Sequence, residues 1–132
     1  MKITADTNLL VRAAVRDDRR QAAAASRLLR SAERIAIPLP ALCEFVWVLD
    51  RVYDFNRNDT ADAITALLNT SNLAIDRSAV EAGLAVLRSG GDFADGVIAY
   101  TGHWLGGEIF ASFDRAAVRR LDRLGYKTHL LA

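Results

Sequence analysis

The chain has little cysteine or proline and no tract of low complexity. A single cysteine, Cys43, excludes an internal disulfide and fits a reducing compartment. Two prolines among 132 residues, with 52% apolar and 25% charged residues, are typical of a globular chain rather than a disordered one. Because this length is enough for one compact domain with its own core and too short for two, we expect a single domain over residues 1–132.

Long apolar runs are also missing. The first residues, MKITADTNLL, carry one lysine and reach Asp6 before any apolar region of signal-peptide length. No stretch is long enough to span a membrane. We therefore expect a cytoplasmic protein without a membrane partner.

Neither sign of charge dominates, because 17 basic and 16 acidic residues leave a net charge of +1. This balance argues against a broadly cationic nucleic-acid binder, but a local basic surface is compatible with it. Arginine is the main cation and is concentrated towards both ends of the chain. Arginine side chains suit phosphate recognition, although each is explained at least as well by a solvated helix face.

Short apolar segments alternate with helical patterns along the chain. The predicted strands are Lys2–Ala5, RIAIPLP, NLAID, EIFASFD and YKTHLL. Helices are predicted to follow residues 6–8, 17–18, 38, 58, 76, 92 and 114. This alternation predicts an α/β domain with a mostly parallel sheet and right-handed crossovers.

Acidic residues stand where such a sheet would place a ligand. The strand KITA runs into Asp6 and the strand EIFASF runs into Asp114, so both acids fall at carboxyl ends of strands. Either acid is also explained as a helix cap. Asp92 and Asp95 open another predicted helix, with Asp92 the better capping candidate and Asp95 able to direct its carboxylate into a cleft.

Glu44 lies in the apolar stretch PALCEFVWVL. It is the only polar side chain besides the weakly polar Cys43 across residues 41–49, and its neighbours three and four positions away are apolar. A buried glutamate needs a partner or a raised pKa, and no cation lies within one helical turn. We therefore favour a functional role for Glu44 over a structural one.

Convergence of Asp6, Glu44, Asp95 and Asp114 would bring like charges together in a low dielectric, and a divalent cation would resolve that repulsion. The two histidines show no ligand-like spacing to each other or to Cys43. Hard oxygen ligands then favour Mg²⁺ or Mn²⁺ over Zn²⁺. Such sites take phosphate oxygens as further ligands, which indicates phosphoryl chemistry.

Other motifs have simpler interpretations. Trp47 and Trp104 lie inside apolar helices and are expected in the core or at a dimer interface rather than stacked on bases, with the core favoured for both. Gly90 and Gly91 lack the Lys-Ser/Thr of a phosphate loop and are interpreted as a helix stop.

Four segments, in this order and spacing, carry a family resemblance: ITADTNLLVR, PALCEFVWVL, GDFADGVIAY and IFASFDRAAVRRL. Over essentially its whole length the chain resembles a PIN-domain ribonuclease of the VapC type, the toxin half of a bacterial toxin–antitoxin pair. The resemblance implies a three-layer α/β/α fold with a central sheet of four or five strands. It also implies a homodimer and a VapB-type antitoxin that covers the acidic cleft.

The resemblance assigns roles residue by residue. Its four acids fall on Asp6, Glu44, Asp95 and Asp114, and Asp92 falls on a position that is often acidic too. Thr7, Asn8 and Ser112 match polar positions that orient the acids or a metal-bound water in such proteins. No acid of the pattern is missing from this sequence.

We therefore expect a Mg²⁺- or Mn²⁺-dependent endoribonuclease whose products carry 5′-phosphate and 3′-hydroxyl ends, as the resemblance implies. Asp6 and Asp95 would be the principal ligands, with Asp114 as a direct or water-mediated ligand. Glu44 would hold a metal-bound water or a second metal. Arg12 and Arg115 are the candidates for contacts with flanking phosphates.

Two alternatives stay open. One is a non-catalytic member that only binds RNA or a partner. The other is a receiver-like Mg²⁺-binding signalling module, which the single N-terminal acid and the lack of a matching late lysine disfavour.

Overall fold

The computed structural model describes residues 1–132, which form seven helices and five short strands. In chain order the elements are β1 (Lys2–Thr4), α1 (Thr7–Val15), α2 (Arg19–Ser31), β2 (Arg34–Ala36), α3 (Leu39–Arg51), α4 (Arg57–Leu68), β3 (Leu73–Ala74), α5 (Arg77–Arg88), α6 (Phe93–Trp104), β4 (Phe110–Ser112), α7 (Arg115–Arg123) and β5 (Thr128–Leu130). The chain divides into two compact units, residues 1–76 and 77–132. None of the helices has both the length and the apolar character that crossing a membrane requires.

The first unit contains a parallel sheet of three strands with β2 in the middle. Ile3 pairs with Ile35 on one side, and Ile35 pairs with Leu73 on the other. Backbone pairing continues one residue beyond β1, because the Ala5 N–H donates to the Ala36 carbonyl at 2.9 Å. The next residue in the chain therefore stands directly at the carboxyl end of a paired strand.

The helices of the first unit each bury one face. On α3, the side chains of Leu42, Phe45 and Leu49 recur at helical spacing and are buried. Full burial of a side chain of this kind stabilises the fold by roughly 1.5–3 kcal/mol. Helix α1 packs against both α2 and α3. The core thus fixes the rotation of α3 and the position of the first turn of α1.

The second unit joins a two-stranded parallel sheet to three helices. Strands β4 and β5 pair, with Phe110 opposite Thr128, and α7 connects them. Helices α5 and α6 pack closely because Gly96 has no side chain: a Cβ there would lie 2.8 Å from the Gly83 Cα and 2.8 Å from the Ala82 carbonyl carbon. Since Gly96 directly follows Asp95, this close packing also fixes the backbone that carries Asp95.

The elements confirm the predicted α/β class with parallel strands. The expected single sheet of four or five strands is wrong in its strand count: the five strands form one sheet of three and one of two, because β4 pairs only with β5. Helix α4 begins two residues before the predicted start at Asp59, since the Asn56 side chain caps it by accepting from the Asp59 N–H at 2.8 Å. The expectation of a single domain over residues 1–132 stays a prediction.

Candidate functional site

Asp6 occupies the N-cap position of α1. Its Oδ1 accepts a hydrogen bond from the Leu9 N–H at 2.9 Å, and the side chain is exposed. The capping role anticipated for this acid is therefore real. Because the capping bond uses one carboxylate oxygen, capping does not by itself prevent Asp6 from binding a cation through the other.

The two polar residues after Asp6 differ in their surroundings. The Thr7 hydroxyl donates to the Ala41 carbonyl on α3 at 3.4 Å, so it joins the first turn of α1 to the helix that carries Glu44. Asn8 is exposed. The Thr7 hydrogen bond thus reaches the backbone near one candidate acid rather than a carboxylate. That Thr7 and Asn8 orient the acids stays a prediction.

Glu44 is exposed, so the expectation of a buried carboxylate is wrong. The buried stripe of α3 runs through Leu42, Phe45, Val46 and Leu49, and Glu44 lies outside it. The apolar run concealed this arrangement because several of its apolar residues face outwards too. The need for a buried partner no longer supports a functional role for Glu44, and that role now depends on the family resemblance.

The expectation that both tryptophans lie in the core is also wrong. Trp47 on α3 is 57% exposed and Trp104 at the end of α6 is 74% exposed. Trp47 stands on the side of α3 away from its buried residues, and Trp104 is the last residue of α6. Hydrophobicity alone therefore does not assign a tryptophan to the core when it lies on an amphipathic helix.

In the second unit, Asp92 and Asp95 divide two roles at the start of α6. Asp92 is the N-cap, as predicted, and its Oδ1 accepts from the Ala94 N–H at 3.2 Å. Asp95 lies in the first turn of the helix and is only partly exposed. Because Asp92 satisfies the helix end, the Asp95 carboxylate is not required for capping.

Asp114 repeats the arrangement of Asp6 after another strand. It caps α7, with its Oδ1 accepting from the Ala117 N–H at 3.1 Å. The Asp114 N–H in turn donates to the Ser112 Oγ at 2.9 Å. Ser112 therefore holds the backbone of Asp114, and that it orients the acids or a metal-bound water stays a prediction.

The three candidate acids in the second unit, Asp92, Asp95 and Asp114, interact electrostatically. The pKa of Asp95 is raised above its ordinary value of 3.8, first by burial and then by the negative charges of Asp92 and Asp114. The positive charge of Arg120 opposes this rise. A half-buried carboxylate among like charges is one that a divalent cation would stabilise.

The donor chemistry of this acidic cluster, defined as Asp92, Asp95 and Asp114, fits a hard cation such as Mg²⁺ or Mn²⁺. Its geometry is looser than a coordination shell, because no group of three or more His, Cys, Asp or Glu side chains in the chain is arranged to hold a metal ion. Charge interactions extend over longer distances than metal–oxygen bonds. The three acids can therefore raise the pKa of Asp95 without being arranged as metal ligands.

The two arginines predicted to contact phosphates lie in different environments. The Arg12 Nη1 pairs with the Asp17 Oδ1 at 3.3 Å, so contact with a phosphate would cost that ion pair. Arg115 is exposed at the first residue of α7, next to Asp114. Arg120, whose positive charge acts on Asp95, was not among the predicted site residues. The sequence shows two adjacent arginines on a charged helix and does not show which of them lies near the acids.

A cavity of about 670 Å³ in the first unit contains no carboxylate. It is lined by Ser26, Leu29, Arg30, Ala32, Thr70, Ser71 and Asn72. The Asn72 side chain there donates to the carbonyls of Leu29 and Ala32 at 3.0 and 2.7 Å, which joins the end of α2 to β3. This cavity is separate from every predicted site residue.

Comparison with known proteins gives one match. The family model described as PIN domain matches residues 3–124, a range that contains all of the predicted site residues. No curated protein matches the chain.

Proposed function

The chain belongs to the PIN domain family, and on that premise we propose that it is a Mg²⁺- or Mn²⁺-dependent endoribonuclease. The observation that carries this proposal is the half-buried Asp95 with Asp92 and Asp114 close enough to raise its pKa. Carboxylates held under mutual repulsion at the ends of helices are suited to binding a cation that in turn binds phosphate oxygens.

The proposed reaction is hydrolysis of an RNA phosphodiester, with 5′-phosphate and 3′-hydroxyl products. Asp95 and Asp114 would hold the cation in the second unit. The sequence predicts Asp6 as the other principal ligand, and Glu44 as a residue that would hold a metal-bound water or a second metal. When bound, the cation would lower the pKa of the attacking water and offset charge on the phosphate. The capping bond of Asp114 and the close packing at Gly96 restrict these carboxylates before substrate binds.

The same proposal includes a biological setting. The four motifs in order support a VapC-type toxin, which would act in the cytoplasm, form a homodimer and be neutralised by a VapB-type antitoxin. A small upstream reading frame that encodes a DNA-binding protein would support this setting. Expression of the chain alone should be toxic, and co-expression of that neighbour should relieve the toxicity. Harmless expression of folded protein would remove the toxin role and leave the nuclease proposal standing.

The nuclease proposal is tested with purified protein and a labelled single-stranded RNA. Cleavage should require Mg²⁺ or Mn²⁺, stop with a chelator, and fall at least about a hundredfold in Asp6→Asn and Asp95→Asn, because a catalytic metal supplies several kcal/mol. Asp62→Asn, which changes an exposed acid on α4, is the matched control and should cleave like the parent. Full activity of Asp95→Asn with an intact fold would show that the proposed site is wrong.

A non-catalytic module that binds RNA or a partner is the second candidate. It is favoured by the lack of any three acidic, histidine or cysteine side chains arranged to hold a metal ion. RNA binding that is unaffected by a chelator, with no cleavage under any divalent metal, would support this candidate over the nuclease.

A further inference from the structure

Arg120 occupies an unusual position on α7. The residues Ala117, Val118 and Leu121 form the buried face of this helix, and Arg119 and Arg123 are exposed to solvent. Arg120 lies at the border and is only partly exposed. It is less exposed than Arg119 and Arg123 because the aliphatic part of its side chain packs against another segment of the second unit.

That segment is the turn at Gly90 and Gly91, between α5 and α6. A Cβ at Gly91 would lie 2.5 Å from the Arg120 Cδ, 3.0 Å from its Nε and 2.8 Å from the Val86 Cγ1. A Cβ at Gly90 would lie 3.6 Å from the Arg120 Nη2. The missing side chain at Gly91 therefore creates the space that Arg120 fills, and the glycine pair does more than stop a helix.

This placement brings the guanidinium to the start of α6. The residue after Gly91 is the cap Asp92, and the charge of Arg120 acts on Asp95 one turn further along. The ion pairs found in the structure include Arg12 with Asp17 but none with Arg120. Arg120 is thus held near the acidic cluster without its donors being taken up by one carboxylate.

The chemistry of guanidinium fits a phosphate at this location. Its five N–H donors form a rigid fork that matches two oxygens of a phosphodiester, and its charge persists at every working pH. Three carboxylates alone would repel RNA, so a fixed cation beside them lowers the barrier to phosphate approach. An arginine restrained by packing also loses less conformational freedom on binding than a mobile one.

We propose that Arg120, held in the space left by Gly91, binds a substrate phosphate of RNA beside Asp95. This inference deepens the proposed ribonuclease function and rests on it. It assigns the phosphate contact to Arg120 rather than to Arg12 and Arg115, the two residues predicted from the sequence.

The first test compares Arg120→Ala, Arg120→Lys and the control Arg119→Ala in single-turnover cleavage of a labelled RNA. Arg120→Ala should lower kcat/KM by about tenfold to a hundredfold, the loss expected for one charged hydrogen bond to substrate. Arg120→Lys should recover part of the lost kcat/KM. Arg119→Ala, which removes the same charge from the adjacent residue, should keep kcat/KM within about twofold of the parent. Equal rates for Arg120→Ala and Arg119→Ala would overturn the inference.

The second test measures RNA affinity against salt in the Asp6→Asn background with Mn²⁺ present. Loss of one phosphate contact should reduce the slope of log K against log salt by about 0.7 for single-stranded RNA, a change that a purely structural role would not cause. Arg119→Ala should keep the parent slope, and an unchanged slope in Arg120→Ala would overturn the inference. This readout needs no cleavage, so an inactive parent would disprove the nuclease while Arg120 is still tested.

A third variant moves Arg120 without removing it. Gly91→Ala should displace the Arg120 side chain and lower kcat/KM in the parent, yet add no further loss in the Arg120→Ala background. Thermal unfolding of each variant identifies any loss that comes from the crowded Val86. Additive losses in properly folded double variants would count against the proposed cradle.

Discussion

Asp6 in the first unit and Asp95 in the second both stand near the N-terminal end of a helix, but their surroundings differ. Asp6 is exposed and caps its own helix through the Leu9 N–H. Asp95 leaves capping to Asp92, is half-buried, and has like charges near it. A carboxylate that caps stabilises its helix, whereas Asp95 opposes folding when it is ionised. Local structure therefore explains Asp6 without a ligand, and it does not explain Asp95.

The largest expected effect concerns Glu44, the other acid of the first unit. Glu44→Gln should reduce metal-dependent RNA cleavage by about a hundredfold or more, because it removes a predicted ligand charge. Since Glu44 is exposed, the free energy of unfolding should change by less than about 0.5 kcal/mol. Cleavage kinetics and urea unfolding measure the two quantities, with Asp50→Asn on the same helix as control. Full activity would leave Glu44 as an ordinary surface residue.

The next effect separates capping from catalysis at Asp6. Asp6→Ala should lower the free energy of unfolding by about 1 kcal/mol, because the Leu9 N–H loses its acceptor. Asp6→Asn keeps a capping oxygen and should be nearly as stable as the parent. Both variants should be inactive if Asp6 is a ligand. Activity retained by Asp6→Asn and lost only by Asp6→Ala would mean that capping is its whole role.

A smaller effect is a pH dependence that belongs to the second unit. Below its ordinary pKa of 3.8, Asp95 is protonated in both states. As the pH rises past that value the unfolded chain ionises first, so stability falls until the raised pKa of folded Asp95 is passed. Without metal, Asp95→Asn should avoid this fall and be more stable than the parent at neutral pH only. Urea unfolding in chelator at acidic and neutral pH measures the difference, and equal stabilities throughout would contradict the cluster.

Added Mn²⁺ should change the stability of the parent more than that of Asp95→Asn. It should raise the unfolding temperature of the parent at neutral pH and raise that of Asp95→Asn less, because the cation offsets the repulsion that the variant has already lost.

Sequence predicted what depends on neighbours along the chain. The cap at Asp92, the strand before Asp114 and the helix stop at Gly90 follow from local patterns, so their positions were accessible. The exposure of Glu44 and Trp47 could not be predicted from the sequence, because it depends on how α3 is rotated against its core. The packing of the Arg120 side chain against Gly91 could not be predicted either, since the two residues are far apart in sequence.

The smallest expected effect tests whether Asp92 acts on Asp95 by charge alone. Asparagine caps a helix about as well as aspartate, so Asp92→Asn should leave α6 and the stability of the unit nearly unchanged. Of the two like charges that raise the pKa of Asp95, the variant removes the one with the larger effect, and this pKa should therefore fall.

In Asp92→Asn the pKa of Asp95 should still stay above 3.8, because burial is the first cause of the rise and the substitution does not alter it. Titration of the Asp95 carboxyl by NMR in metal-free protein measures the shift, and Asp114→Asn should produce a smaller one. If both substitutions left the pKa of Asp95 unchanged, burial alone would account for the rise. The acidic cluster would then lose the mutual repulsion from which its affinity for a cation was inferred.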